Sequence, residues 1–355
     1  MASQPPRVSV LMTTYNGART IGDSIASVLA QSFRDFELVV VDDCSSDNTP
    51  AILAGISDPR VRVLRPDRNL GVVGARNFGF TACRGDYLAA HDHDDLSRPE
   101  RFAQQVALLD STPGVVLAAT EVTLESDGRL SRSGHAADGS ALAMRWLLLV
   151  DNPLTWSSVM MRTDAVRRSG AFVRPDYELS DDFDLYHRLL STGDIVRLPA
   201  QLTVYRWHAT NTARAGRETL LANAVKVLRA AYAEWLGNDA EDAAQLVVRH
   251  LSHRTPVPDS TILNQLGSYL ERLLNGFCTA HGLAAPERTQ VAALAGKVWW
   301  GAVRASVRTG NPNLARTFRD WPGLVAAFQP RVTDRAVSVA IGGARRLLPD
   351  RTRQG

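Results

Sequence analysis

The feature that most constrains this chain is an event repeated in its first hundred residues: a short apolar run that ends in carboxylates. Residues 8–13 (VSVLMT), 36–41 (FELVVV) and 87–90 (YLAA) are short and apolar, and the first two are rich in β-branched side chains. That is the pattern of strands buried on both faces. The second run leads into Asp42 and Asp43; the third leads into Asp92, Asp94 and Asp95, with His91 and His93 interleaved. Between the runs, apolar residues recur at helical spacing, at Ile21, Ile25, Val28 and Leu29, and again over residues 73–83. Strands alternating with helices predict a mostly parallel sheet with βαβ crossovers. The acidic strand ends then share one edge, where open α/β sheets bind ligands.

Three carboxylates in four residues repel one another. A hard divalent cation, which takes carboxylate oxygens and often binds with substrate phosphates, is one reason to place them together. A solvated acidic turn at a helix N-terminus is the plain alternative, and this segment alone does not choose between them.

Further along, helices are expected over residues 99–109, 142–150 and 164–169, and strands over 61–64, 115–122, 153–161, 195–198 and 202–206. Residues 125–140 are polar and Gly-rich and read as a loop. Phe183, Tyr186, Leu189 and Leu190 share a helical face, so Asp181 and Asp182 fall at that helix's N-terminus. Beyond Thr212 strand signals fade, and helical patterns follow over 219–235, 240–251, 262–278 and 289–307. The expected organisation is an α/β catalytic domain over 1–212 and an all-helical region over 213–355. Residues 331–353 alternate apolar side chains with arginines. They are expected to pack as an ordinary helix with a solvated basic face, and an anionic membrane surface is the alternative partner.

Composition excludes several classes. A formal net charge of +3 gives no field for nucleic acid. Cys44, Cys83 and Cys278 are odd in number and widely spaced, which suggests neither a disulfide framework nor a zinc site. A reducing compartment is expected, hence the cytoplasm, with the inner face of the membrane as a variant of that expectation. The first residues, MASQPPRVSV, carry no charged-then-apolar leader, and no stretch has the length of a membrane span.

Six segments taken in order, VSVLMTTYNG, SVLAQSFRDFELVVVDDCSSDNT, NLGVVGARNFGF, GDYLAAHDHDD, SDDFDLYHRL and YRWH, resemble the family 2 glycosyltransferases. Each is weak alone; the ordered set is specific and covers about the first 210 residues. The resemblance implies a GT-A fold, a Rossmann-like mixed sheet of the nucleotide-diphospho-sugar transferases. It implies transfer of a sugar, with inversion, from a nucleotide-diphosphate donor to a saccharide or lipid-linked acceptor hydroxyl. UDP-sugars are favoured, and cell-envelope polysaccharide or glycoconjugate synthesis is the expected setting.

Residue by residue, the resemblance gives Tyr15 to stacking on the donor base and Asp43 to the base's ring N–H, with Thr13 on the same strand end. Arg76 falls to the diphosphate. Asp92-His93-Asp94 matches the Asp-X-Asp motif, with Asp94 on Mn²⁺ or Mg²⁺ and Asp92 on the ribose or the metal; His93 departs from the usual small residue. Asp95 is expected to cap the next helix, and His208 to serve the metal or acceptor side. Asp182 matches the catalytic base. Its preceding residue is Asp181 where the family has Glu, which leaves both as candidates. The Gln-x-x-Arg-Trp motif of processive members is absent, which implies single additions.

Each residue also has a plainer reading. Tyr15 is then a turn aromatic, Asp43 a cap, Arg76 a surface ion pair, His208 a structural histidine, and Asp181-Asp182 helix N-terminal charge. Two other functions compete. A nucleotidyltransferase also places carboxylates at strand ends, but no Gly-rich, lysine-bearing loop follows the first strand. A non-catalytic binding or assembly protein on the same fold would not need Asp182.

Overall fold

The computed structural model describes residues 4–133, 138–208 and 216–346. The expected boundary at Thr212 lies outside the described residues, as do 134–137 of the polar loop and 347–353 of the basic stretch. The chain packs as two compact units. One joins the residues up to Arg145 with Pro153–Asn223, and the other joins Trp146–Asn152 with the chain from Ala224 on.

The first unit opens with β1 (Val8–Thr14), α1 (Ile21–Leu29), β2 (Phe36–Asp42), α2 (Thr49–Ala54), β3 (Val61–Leu64), α3 (Gly71–Ala82) and β4 (Tyr87–Asp92). These strands are parallel, and Thr13 pairs with Val41 on one side and Asp92 on the other. The acidic ends of β2 and β4 therefore flank the end of β1. The unit continues with β5 (Leu96–Ser97), α4 (Arg101–Ser111), β6 (Val115–Ser126), β7 (Arg129–Arg132), α5 (Ala141–Leu147), β8 (Met160–Arg162), α6 (Thr163–Arg168), α7 (Asp181–Leu189) and β9 (Asp194–Arg206). Among the described residues the sheet order is β3-β2-β1-β4-β8-β6-β9-β5, with β7 paired to β6. The mixed sheet arises because β8 runs antiparallel to both β4 and β6.

The central strands are apolar on both faces because both faces are covered. Val8, Val10 and Met12 of β1 pack with Ile21, Ile25 and Val28 of α1 and with Phe102, Val106 and Leu109 of α4. The opposite face meets α3, where a Cβ on Gly79 would lie 2.4 Å from Leu11 Cδ1 and 2.7 Å from Val41 Cγ2. That glycine lets the helix approach the sheet closely enough to present its N-terminal turn at the acidic edge.

Four local expectations are corrected. Residues 153–161 are a 3₁₀ turn at Trp156–Ser158 followed by the short β8. Ser157 Oγ is drawn inward to accept from Asp92 N at 2.9 Å, and Ser158 Oγ donates to Thr155 O. Residues 195–206 form one strand rather than two, because register shifts near Thr120 and Glu121 absorb Pro199. Residues 125–140 contain a hairpin, whose Asp127 and Gly128 are both left-handed (φ 50° and 73°) as a primed turn requires. Asp95 does not cap a helix: it is buried, its Oδ1 accepts from Arg206 N at 3.0 Å, and β5 follows it.

The second unit is helical. It contains most of α8 (Arg217–Leu236), α9 (Ala240–Val247) with a wider π turn over Val248–Ser252, α10 (Ser260–Ala280), α11 (Ala285–Arg308), α12 (Pro322–Val325) and α13 (Val332–Arg346). Asp259 caps α10 by accepting from Thr261 N and Ile262 N. Trp146, Phe277, Trp299 and Phe318 are fully buried. Among the described residues no helix is long and apolar enough to cross a membrane.

Candidate active site

The strand ends of the first unit are locked together before any ligand arrives. Asp43 N donates to Thr14 O at 2.8 Å. Asn16 N donates to Ser45 Oγ at 2.8 Å, and Ser46 N donates back to Asn16 Oδ1 at 2.9 Å. Asn16 and Cys44, each just beyond a candidate donor residue, sit at φ 53° and 65°. Non-glycine residues held there are strained, and such strain concentrates at functional sites. The loop so fixed leaves Tyr15 52% exposed, an aromatic face open at the sheet edge.

Asp42 and Asp43 divide their work. Asp42 accepts from Ser45 N and pairs with Arg65, so it holds the turn. Asp43 accepts from Leu70 N at 2.7 Å through Oδ1, while Asn69 Nδ2 donates to the Asp43 carbonyl. Asp43 thus ties the loop before α3 to the end of β2, and the helix that follows it in sequence has Asn48 at its N-cap.

Asp92, Asp94 and Asp95 bring a carboxylate oxygen each within 4.8 Å of one another. Burial lifts the Asp92 carboxyl above its ordinary range; Arg76 opposes this and Asp94 adds to it. Burial, then the charges of Asp92 and Asp94, lifts Asp95 much further, and its Oδ2 is enclosed without a hydrogen bond. Three carboxylate oxygens gathered this closely fit a hard cation of the Mg²⁺ or Mn²⁺ type. His208 Nε2 lies 2.9 Å from Asp94 Oδ2.

Arg76 comes from the second turn of α3 and is buried, contrary to a surface ion pair. Its Nη1 donates to Asp181 Oδ2 at 2.7 Å, its Nη2 lies 3.4 Å from Asp92 Oδ1, and its guanidinium stacks 4.1 Å above the Trp156 ring. Burial would lower its pKa, but the charges of Asp181, Asp92 and Asp182 outweigh this and hold it above the ordinary value. Asp181 and Asp182 open α7, as their spacing predicts, behind Leu179 at φ 67°. Asp181 is 2% exposed, whereas Asp182 is half-buried, with Phe183 N donating to its Oδ1 at 2.7 Å. Asp184, one turn in, is tied to Arg174 and Arg188 and anchors the helix.

One cavity of about 450 Å³ collects these groups. Thr13, Tyr15, Asp43 and Arg76 line it together with Asp92, Asp94, Asp181 and Asp182. His208 is not among the lining residues, and its Nε2 contacts the lining residue Asp94. Sequence reasoning missed Asn69, Glu178, Leu179 and Tyr205 in the lining, and Trp156 beneath Arg76. Asn69 opens the NLGVVGARNFGF segment and Tyr205 lies inside YRWH, so both were there to be found; Glu178, Leu179 and Trp156 fall outside the six segments.

The fold is that of the GT-A nucleotide-diphospho-sugar transferases. S. aureus TarS 1–349 in complex with UDP-GlcNAc superposes with a TM-score of 0.55 at 17% identity, over 94% of this chain and 90% of that one. The description "Glycosyl transferase family 2" matches residues 9–170. The putative glycosyltransferase EpsE of Bacillus subtilis (strain 168) is 31% identical over 198 residues, 53% of this chain and 68% of EpsE. The succinoglycan biosynthesis protein ExoO of Rhizobium meliloti (strain 1021) is 43% identical over 133 residues, 38% of each chain, so the match spans well under half of that relative. The chain belongs to glycosyl transferase family 2 and is a glycosyltransferase.

Proposed function

We propose that the protein moves a single sugar, with inversion, from a UDP-sugar to a hydroxyl on a saccharide or lipid-linked acceptor of cell-envelope polysaccharide or glycoconjugate synthesis. The observation that carries this reading is the convergence of Tyr15, Asp43, the Asp92–Asp94 pair and Asp182 on one cavity. TarS, on the same fold, binds UDP-GlcNAc, and ExoO is named for succinoglycan biosynthesis; both names support the class of donor and setting.

In this reading Tyr15 offers its face to the base. Asp43 accepts the base's ring N–H, and the Leu70 N–H on its Oδ1 fixes the carboxylate's orientation. Thr13 closes the floor at the strand end. Asp94 and Asp92, with Asp95 beside them, would hold a divalent cation, and His208 belongs to the metal side as the group that orients Asp94. The cation, when bound, neutralises charge on the departing diphosphate. Arg76 lines the same cavity and adds fixed positive charge beside that diphosphate.

Asp182 takes the proton. Asp181 is buried and engaged by Arg76, whereas Asp182 faces the cavity with its side chain half-buried. The acceptor oxygen, relieved of its proton by Asp182, bonds to the anomeric carbon from the face opposite the diphosphate. The bond to the diphosphate breaks with its electron pair, so configuration inverts in one displacement. Within the first unit, the hairpin at 125–132 is the part assigned to the acceptor.

A nucleoside-diphosphate release screen across UDP-, GDP- and dTDP-sugars, with saccharide and lipid-diphosphate acceptors and Mn²⁺, tests this. Release from a UDP-sugar, with a product one hexose heavier, is expected. No release above the Asp182→Asn background with any donor contradicts it.

A further inference from the structure

The last described helix of the second unit is amphipathic the wrong way round. Successive residues turn by about 100°, so Asp334, Ser338, Gly342 and Arg345 share one side of α13. That polar side faces inward. Asp334 accepts from Trp300 Nε1 at 2.8 Å and Arg308 Nη2 at 3.2 Å, and Ser338, fully buried, accepts from Arg308 Nε at 3.1 Å. Gly342 sits so close to α11 that a Cβ would lie 2.1 Å from Val307 O. The outward side is apolar but for the exposed Thr333: Val332 is 80% exposed, Val337 51% and Val339 39%, with Ala336, Ala340 and Ala344 exposed between them. A helix folded only for its own domain buries that side.

The rim of the outward side carries charge of one sign. Arg331 and Arg346 are exposed at the two ends and Arg335 is half-exposed along one flank, while the helix's sole acid, Asp334, is turned inward. A strip of small apolar side chains edged by guanidinium groups fits a surface that is apolar beneath and anionic above. A second copy fits less well, since a self-complementary contact would set the same arginine rims against each other.

We infer that α13 is an interfacial helix, which docks the second unit onto an anionic lipid bilayer by its Val332–Ala336–Val339–Ala340–Gly343 face. Small residues give shallow insertion, so the arginines carry much of the attraction and the docking is salt-sensitive and reversible. This inference does not rest on the proposed chemistry, and its test reads binding alone.

The full-length protein is sedimented with sucrose-loaded vesicles of phosphatidylcholine, and with vesicles in which half the lipid is phosphatidylglycerol. Recovery with the anionic vesicles is expected, falling with added salt. Val332→Glu combined with Val339→Glu is expected to lower the apparent affinity at least about tenfold, and Arg331→Gln or Arg346→Gln about fivefold each. Circular dichroism melting confirms that the variants stay folded; the exposed arginines supply the second test if the glutamates disturb the helix. Equal recovery on both vesicle types, no recovery on the anionic ones, or undiminished binding by the variants overturns the inference. So does a concentration-dependent dimer that Val339→Glu dissolves.

Discussion

Arg76 Nη1 donates to Asp181 Oδ2 at 2.7 Å, joining the helix beneath the donor edge to the first acid of α7 across 105 residues of sequence. The contact separates two adjacent aspartates into different trades. In the proposed mechanism Asp181 is the positioning residue and Asp182, also on the cavity wall, is the base.

Stability and turnover should therefore separate between the two. Asp181→Asn strips a buried guanidinium of its main partner and is expected to cost about 3 kcal/mol in urea unfolding. Asp182→Asn is expected to leave unfolding within about 1 kcal/mol and to lower turnover by roughly 10²- to 10⁴-fold while UDP still binds. Full activity in Asp182→Asn, or a stable Asp181→Asn, would reverse the assignment.

The cation site should be pH-sensitive. Asp92 and Asp95 are both raised by burial and by neighbouring carboxylates, so protons compete with a cation for the same oxygens. The sign follows: lowering pH protonates the site and weakens the cation, raising pH strengthens it. Calorimetric titration of Mn²⁺ should give tighter binding at pH 7.5 than at pH 5.5. Asp94→Ala should abolish it at both.

Tyr15 is read as a stacking surface rather than a hydrogen-bonding one. Tyr15→Phe should keep UDP affinity within about twofold, whereas Tyr15→Ala should lose about tenfold or more, from a stacking contribution of ~1–3 kcal/mol per base. Equal losses in the two variants would move the role to the hydroxyl.

What the sequence made legible follows from range. Strands 8–14, 36–42 and 87–92 announce themselves by local apolarity, and the acidic ends of the second and third fall on one edge because parallel pairing with the first requires it. Asp181 and Asp182 at a helix N-terminus follow from 3.6-residue spacing alone. The misses are contacts over long separations. Asp95 reads locally as a cap but is claimed by Arg206, 111 residues on. Trp156 reads as a strand residue but turns beneath Arg76. The left-handed Leu179 carries no signal, since nothing in leucine asks for φ 67°. In α13 the periodicity is visible in sequence, but which side faces out is set by Trp300 and Arg308.

The second unit offers a test of stability alone. Burial pushes the Asp151 carboxyl up to about 6, although Ser252 Oγ donates to it at 2.6 Å. A carboxyl raised from its ordinary 3.8 favours the fold when protonated. Its contribution is whole below pH 4, is lost as pH rises to 6, and is a flat deficit above. The gap corresponds to ~3 kcal/mol, reduced to about 1–2 because the side chain is only partly enclosed. Asp151→Asn can still accept from Ser252, so it should raise the melting temperature at pH 7.5 and give no gain at pH 4. A gain at both pH values would place the effect elsewhere.

The central claim is that the cavity bounded by Tyr15, Asp43 and the Asp92–Asp94 pair holds a nucleoside diphosphate on a divalent cation. The most direct measurement is the melting temperature with UDP, with and without Mn²⁺, at concentrations well above Kd, where ligand binding stabilises by about 2.7 kcal/mol at a hundredfold excess. The account predicts a clear rise with UDP and Mn²⁺ together, kept in Asp182→Asn and lost in Asp94→Ala. No rise with UDP, GDP or dTDP in the presence of Mn²⁺, or a rise that survives Asp94→Ala unchanged, would contradict it.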